Sequence, residues 1–215
     1  MAQQPTGQMA PSVRSVTSRG SVNVPGMAAG AWWPLFDYQT LAATATTEQQ
    51  FFAVPKGQSG KTATDTNMEL AGQIPAGQRF VITGVGIEIL PAVDISQTGV
   101  DGTVNDFAND VYAVLSTGRL KLTIGSKDYI NHGNLFKFPP LNRLDAQTAV
   151  STTVTTTTLK DAYGVGIGAP FATVDTVLMA SQNFGVTLFD LPALPSGVAA
   201  KIGVNLYGWL YRNAQ

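Results

Sequence analysis

The chain has 215 residues, a formal net charge of −1, 13% charged residues and no cysteine. The lack of cysteine excludes disulfide bonds and cysteine-based zinc sites. An average soluble domain has about 25% charged residues, so a surface this poor in charge is typical of a protein whose faces are covered by partners.

The first 36 residues are rich in Gly, Pro, Ser and Gln and show neither helical nor strand periodicity. Arg14 and Arg19 are its only charged residues, too few for a nucleic-acid-binding tail. It lacks the basic and apolar regions of a signal peptide, and its apolar run over residues 26–36 is about half a membrane span. We predict an extended N-terminal arm over residues 1–39 and a β domain over residues 40–215.

Aromatic residues cluster where the arm meets the domain, at Trp32, Trp33, Phe36 and Tyr38. Aromatic side chains are common anchors of protein interfaces. We therefore predict that these four residues, together with the two arginines of the arm, contact a partner. Packing onto the chain's own β domain is an equally open alternative.

Beyond the arm, apolar residues alternate with a period of two, which is typical of β-strands. The pattern predicts strands over residues 79–90, 119–124, 184–189 and 201–211. In the first strand it places Val81 on the same side as Val85, Ile87 and Ile89. In the last strand it places Ile202, Val204, Leu206 and Leu210 on one face, and Lys201, Asn205, Tyr207, Trp209 and Tyr211 on the other.

The aromatic residues of the last strand, Tyr207, Trp209 and Tyr211, form a stripe that we predict to be a second interface. A second sheet or a loop that covers the stripe is the alternative. Glu88 interrupts the apolar pattern of its strand, and we expect it on the polar side of a sheet.

Weaker signals complete the prediction. Short strands are expected over residues 50–54, 67–71 and 111–115. The threonine-rich run 150–159 is expected to be an edge strand or a strand between subunits. One short helix is expected over residues 173–182. Many short strands with few helices indicate a sandwich or barrel, with residues 91–110 and 131–148 as long loops.

Three segments carry this pattern most clearly: IPAGQRFVITGVGIEI, GRLKLTIGSKDYI and KIGVNLYGWLYR. With the N-terminal arm, the chain resembles jelly-roll virion structural proteins, namely the cement or decoration proteins of tailed-phage heads and single jelly-roll capsid subunits. The resemblance implies an all-β fold, a jelly-roll-like β-sandwich with an extended N-terminal arm.

Motifs that suggest chemistry are incomplete. Residues 57–62 end like a phosphate-binding loop, but Pro55 replaces its first glycine and no helix pattern follows. Residues 164–169 match a loose dinucleotide pattern without a βαβ unit around it. His132 is the only histidine, and we expect it in a loop. The acidic segment 94–110 does not have EF-hand spacing, and calcium binding there stays open.

The sequence therefore predicts no enzyme, no catalytic residue, no cofactor and no metal site. The resemblance implies a virion structural protein, first a cement or decoration protein, with a shell-forming capsid subunit as one alternative and a carbohydrate-binding jelly-roll module as another. The expected partners are further copies of the chain, as a trimer, and other capsid proteins, without nucleic acid or membrane. The expected location is the virion, assembled in the host cytoplasm.

Overall fold

A computed structural model of the chain describes residues 29–90, 104–138, 143–147, 160–164 and 171–212. This part of the chain contains eleven strands, one α-helix and a single 3₁₀ turn at Leu135–Lys137. The elements are β1 (Ala29–Trp32), β2 (Leu35–Leu41), β3 (Thr46–Phe51), β4 (Gln78–Leu90), α1 (Val104–Thr117), β5 (Arg119–Ile124), β6 (Lys127–Gly133), β7 (Arg143–Gln147), β8 (Lys160–Gly164), β9 (Phe171–Leu178), β10 (Phe184–Leu191) and β11 (Ala200–Arg212).

The strands form two antiparallel sheets and a separate hairpin. The first sheet has the order β1-β11-β4-β9, and β2 also pairs with β11. The second sheet has the order β3-β10-β5-β6, and among the described residues β7 pairs with β8 alone. Because side chains of both sheets belong to one buried cluster, the predicted all-β sandwich is confirmed.

The core lies between the two sheets and follows the alternation of their strands. The strands predicted over residues 119–124, 184–189 and 201–211 are β5, β10 and β11. The apolar residues at every second position in them are buried, including the predicted face of Ile202, Val204, Leu206 and Leu210. The helix α1 adds Val111, Val114 and Leu115, whose spacing of three and four residues places them on one helical face. The most deeply buried members include Phe51, Phe52, Phe80, Ile82, Val85, Ile87, Leu120, Leu122, Leu135, Phe138, Leu178, Val186, Leu188, Ile202, Val204 and Leu206.

A bulge in β4 corrects one predicted face. Tyr207 of β11 pairs with Gly84 and Gly208 pairs with Ile82, so Thr83 is an extra residue on β4. An extra residue shifts the in-and-out alternation by one. Val81 therefore lies outside the main core, packed near Tyr211, and its predicted place beside Val85 is wrong.

Strands β1 and β2 together line one edge of β11. Residues 29–32 pair with the end of β11 and residues 35–41 with its beginning. Pro34 separates the two strands, since proline cannot donate to a ladder, while the Trp33 N–H still donates to the Gly208 carbonyl at 3.0 Å. Residues 29–39, predicted as part of the arm, thus belong to the edge of the first sheet.

The free side of β2 is covered by its own chain. The Tyr38 N–H donates to the Asp65 carbonyl at 2.7 Å. The Asn67 side chain accepts from the Phe36 N–H at 3.0 Å and donates to the Pro34 carbonyl at 2.7 Å. These contacts use main-chain groups that an edge strand otherwise offers to another strand.

Glutamines join the adjacent edges of the two sheets. Gln49 of β3 donates through Nε2 to the Thr40 carbonyl of β2 at 2.9 Å, and Gln39 Nε2 donates to the Gln50 carbonyl. The sandwich is therefore closed by side-chain hydrogen bonds on the side where β2 continues into β3.

Three predicted elements are wrong in type. Residues 173–182 are not helical, because Thr173, Thr176 and Val177 lie in β9, where β-branched side chains favour a strand. Residues 111–115 belong to α1 instead of a strand. Residues 67–71 form no strand and contribute only an isolated bridge at Leu70.

Two further predicted strands lie over residues 50–54 and 150–159. The strand expected over residues 50–54 is β3, which ends at Phe51. The threonine-rich run 150–159 lies outside the described residues, except that β8 begins one residue after it. Among the described residues, no helix has the length and apolar character needed to cross a bilayer.

Candidate interaction face

The candidate site is the outer face of the first sheet, the surface turned away from the second sheet. It forms because the alternation in β11 that buries Ile202, Val204 and Leu206 places the intervening residues on the opposite side. We define the outer face by Trp32, Phe36, Tyr38, Val81, Glu88, Val177, Lys201, Asn205, Tyr207, Trp209 and Tyr211.

Three predicted interface residues meet in one aromatic cluster on this face. The ring of Trp32 stacks on Tyr207, with centroids 6.2 Å apart and planes 23° apart. It also meets Trp209 edge-on, with centroids 5.7 Å apart. The Trp32 side chain is brought there by the pairing of β1 with the end of β11. Trp32 remains 51% exposed and Trp33, at the break after β1, 42% exposed.

The predicted stripe on β11 is not uniform in exposure. Tyr207 and Trp209 are partly exposed, whereas Tyr211 is 1% exposed and packs with Val81 and Val177. Gly30 of β1 makes room for the Tyr211 ring, because a Cβ atom at residue 30 would lie 2.8 Å from it. Tyr211 is therefore buried by neighbouring residues of its own sheet.

Tyr38 reaches across the sheet to Glu88. Residues Tyr38, Gly203 and Glu88 lie side by side on β2, β11 and β4. The Tyr38 ring passes over Gly203, where any Cβ atom would overlap it, and its hydroxyl donates to the Glu88 carboxylate. Burial, together with the hydrogen bond and the negative charge of Glu88, raises the pKa of Tyr38 well above its ordinary value. The expected position of Glu88 on the polar side of a sheet is confirmed.

The raised pKa of Tyr38 predicts a titration that is specific to this contact. Below pH 10 the phenol is neutral in both folded and unfolded chains, so its contribution to stability is complete; above pH 10 the unfolded chain ionises first and that contribution is lost. Phenolate absorbance should therefore show Tyr38 ionising at a higher pH than the ordinary tyrosine value. Glu88→Gln should lower the pKa of Tyr38, while Tyr112→Phe should leave its titration unchanged; an unaltered curve in Glu88→Gln contradicts the contact.

A charged cluster borders the face where β11 begins. The Lys201 ammonium binds the Asp65 carboxylate at 2.5 Å and lies 5.7 Å from the centroid of the Tyr38 ring. Hydrogen bonds from Lys201 and then from Thr62 hold the pKa of Asp65 well below its ordinary value. The positive charge of Lys201 is thus held in place beside the aromatic residues.

A buried ion pair joins β2 to the segment that follows β3. Asp37 is fully buried and accepts hydrogen bonds from the Phe52 N–H at 2.7 Å and from Gln39 Nε2 at 3.2 Å. Its other oxygen binds the Lys61 ammonium. Lys61 is the lysine of the phosphate-loop-like segment, which forms a turn with Gly60 at a φ of 77°. The lysine that suggested phosphate binding instead neutralises a buried aspartate.

Other candidate residues have structural roles. His132 lies in β6, so the predicted loop position is wrong, and its ring packs on Phe171 with centroids 5.9 Å apart. It lines a cleft of about 520 Å³ between β6 and β9, with Asp175 on the opposite side. Asp110 in α1 is buried and accepts from the Ser196 N–H and hydroxyl at 2.9 and 2.6 Å.

The sequence reasoning missed a second exposed aromatic pair. Tyr112 on α1 and Phe136 in the 3₁₀ turn have centroids 5.6 Å apart and are 65% and 46% exposed. The helical spacing of Val111, Val114 and Leu115 could have indicated the pair, because it places Tyr112 on the solvent side of α1.

Some predicted residues do not join the cluster. Phe36 packs on Tyr38, with centroids 5.8 Å apart, further along the outer face. Arg14, Arg19, the arm before residue 29 and residues 165–169 lie outside the described residues.

The composition of the face also limits its chemistry. In the described part of the chain, no three potential metal ligands come together. Comparison with protein-family models, with curated proteins and with solved structures gives no match. The outer face is rich in aromatic side chains, and Glu88 and Lys201 are the charged residues among those that define it.

Proposed function

We propose that the sandwich is a jelly roll and that the protein is a virion structural subunit. The observation that carries this proposal is the strand order. The eight strands of the two sheets, taken without β1, pair as β2 with β11, β3 with β10, β4 with β9 and β5 with β6. These nested pairs are what results when one long antiparallel hairpin of eight strands is rolled into two sheets, as in a jelly roll.

Among the functions that jelly rolls serve, the exposed aromatic residues favour assembly with other proteins. Jelly rolls occur in viral capsids, lectins and cupins, and a fold alone does not choose among them. Trp32 and Trp33 are large apolar side chains left half in solvent, on a chain with unusually few charges. Such residues are common at the centres of protein interfaces.

Within virion proteins we propose a cement or decoration protein, with a shell-forming capsid subunit as the alternative. The first 36 residues hold only two arginines, which gives little means of packaging a genome. The proposed partners are two further copies of the chain, as a trimer, and the capsid proteins beneath it. The proposed location is the virion, assembled in the host cytoplasm.

The proposal is tested by the mass of the full chain in solution. Sedimentation or native mass spectrometry should find a homo-oligomer, and Trp32→Ala with Trp33→Ala should weaken its association at least about thirtyfold, since interface tryptophans are frequent hot spots. Tyr129→Ala, which removes an equally exposed aromatic residue from β6, is the matched control. A wild-type chain that stays monomeric and does not bind capsids rejects the proposal.

One further measurement separates cement from shell. A cement protein binds to heads that are already assembled and forms no particle alone, whereas a shell subunit closes into particles without another protein. Electron microscopy of the purified chain, with and without preformed heads, distinguishes the two outcomes.

The exposed ring of Trp32 also favours a second candidate, a carbohydrate-binding module. A flat indole stacked on Tyr207 resembles the platforms on which sugar rings lie. In that case tryptophan fluorescence should respond to glycans in the full chain, and Trp32→Ala should abolish the response. An assembled protein without any glycan response eliminates this candidate.

A further inference from the structure

The cleft between β6 and β9 has the dimensions of a site for a small ligand. Its volume is about 520 Å³, and sites for small ligands usually measure about 300–1,000 Å³. β6 and β9 are the last strands of the second and the first sheet, so the cleft lies where the sandwich opens at one side. This side is at the opposite edge of the first sheet from β1, the strand that carries Trp32. The cleft is therefore separate from the aromatic cluster of the outer face.

The inner wall of the cleft is the margin of the hydrophobic core. Ile130 and His132 of β6 lie opposite the buried Leu122 and Leu120 of β5, so both side chains are on the core side of their strand. Phe171 of β9 meets the His132 ring edge-on, with centroids 5.9 Å apart. A ligand in the cleft therefore meets an apolar side chain and two aromatic rings at its inner end.

Both edge strands lose their regular pairing where they line the cleft. The register of β6 against β5 shifts after Leu122, which leaves Tyr129 as an extra residue. In β9, residues 173–175 stand opposite the single residue Thr83 of β4. Extra residues of this kind turn side chains out of the regular alternation and are common beside active sites. Tyr129 and Asp175 line the cleft from these irregular positions.

The charge of the cleft indicates which ligands it can hold. Asp175 is the only carboxylate among the described residues that line it, and these include neither lysine nor arginine. Asp175 forms no ion pair with another described residue. An anionic ligand would bring like charges together, which is unfavourable, whereas a cationic ligand would form charge-assisted hydrogen bonds with the carboxylate. The cleft is therefore suited to a ligand with a positive group and an apolar body.

We propose that the cleft binds a small organic amine, with its ammonium group at the Asp175 carboxylate and its apolar body against Ile130 and Phe171. The ring of Tyr129 at the mouth of the cleft is half exposed, and the faces of aromatic rings attract ammonium groups. This site does not depend on the proposed virion role, because the aromatic cluster of the outer face takes no part in it.

Three probes that share a benzyl group and differ in charge test the preference for a cation. Benzylamine, benzyl alcohol and phenylacetate are titrated separately into the full chain at neutral pH. His132 is the only histidine, so its imidazole NMR signals need no assignment and report from inside the cleft. Benzylamine should shift these signals saturably and bind at least about tenfold more tightly than the other two probes, the effect of one hydrogen bond to a charged group. No saturable shift with benzylamine, or an affinity no higher than that of benzyl alcohol or phenylacetate, overturns the proposal.

Asp175→Asn tests the carboxylate while keeping the shape of the side chain. The substitution should weaken the binding of benzylamine about tenfold and leave that of benzyl alcohol unchanged. Asp128→Asn is the matched control, because Asp128 also lies on an edge strand, β6, but accepts from the Thr123 hydroxyl at 3.0 Å and does not line the cleft. Equal affinity of the wild-type and Asp175→Asn chains for benzylamine contradicts the proposal, and so does an equal loss in Asp128→Asn.

Nuclear Overhauser effects between probe and protein locate the bound amine. The ring protons of benzylamine should give cross-peaks with the methyl groups of Ile130 and the ring of Phe171. Cross-peaks with the indole of Trp32 in place of these would show that the amine binds to the outer face, and the assignment of the cleft would then be wrong.

Discussion

Asp37→Ala is expected to lower the free energy of unfolding by about 3–5 kcal/mol, the usual cost of removing one partner of a buried ion pair. The substitution leaves the Lys61 ammonium, whose side chain is 13% exposed, without its carboxylate. It also leaves the Phe52 N–H without the acceptor that it has at 2.7 Å. Chemical denaturation of the full chain at neutral pH measures the change.

Two further variants separate the contribution of the lost charge from that of the lost hydrogen-bond acceptor. Asp37→Asn keeps an oxygen for the Phe52 N–H and removes the charge, so it should destabilise less than alanine. Lys61→Met in the Asp37→Ala background should recover part of the loss, because it removes the uncompensated charge. A cost below about 1 kcal/mol for Asp37→Ala, the level of an exposed pair, would show that this pair does not hold β2 in place.

Gly208→Ala is expected to destabilise the sandwich by about 3 kcal/mol or more, at the upper end of overpacking effects. A Cβ atom at residue 208 would overlap the Val81 carbonyl oxygen and lie 2.8 Å from the Phe80 ring. The obstacle is main chain at the β4 bulge, so a side-chain rotation does not relieve it. Thermal and denaturant unfolding measure the loss.

Gly185→Ala is the matched control for this variant. Gly185 lies in β10, where an added Cβ atom would meet its nearest neighbour, the Phe51 carbonyl oxygen, at an ordinary 3.7 Å. Its replacement should be neutral or slightly stabilising, since alanine loses less conformational entropy than glycine on folding. Equal effects of the two substitutions would contradict the close approach of β4 and β11 at the bulge.

Regular alternation made part of the fold predictable. The strands β5, β10 and β11 have apolar residues at every second position, and their buried faces are as the pattern predicts. The segment at Thr173 was misassigned because its apolar residues fit both periods. Its β-branched content was the better guide, as β9 shows. The bulge at Thr83 leaves no periodic signal, so the side on which Val81 lies was predicted wrongly.

Only the part of the candidate site that lies within a single strand could be predicted from the sequence. Periodicity along β11 places Tyr207, Trp209 and Tyr211 on one face, as predicted. The contact of Trp32 with that face depends on pairing between the two ends of the described chain, and no local pattern encodes such pairing. The bond from Tyr38 to Glu88 spans 50 residues, and it could not be derived from either strand alone.

The covered edge of β2 also limits the addition of strands from neighbouring molecules. A protein held at high local concentration against its own copies is at risk of adding strands from one molecule to the next without limit. Asn67 and the Asp65 carbonyl occupy the main-chain groups of β2 that a foreign strand would need. Another molecule that contacts this side of the sandwich must then use side chains instead of main-chain strand pairing. Open-ended addition of strands at β2 is therefore disfavoured.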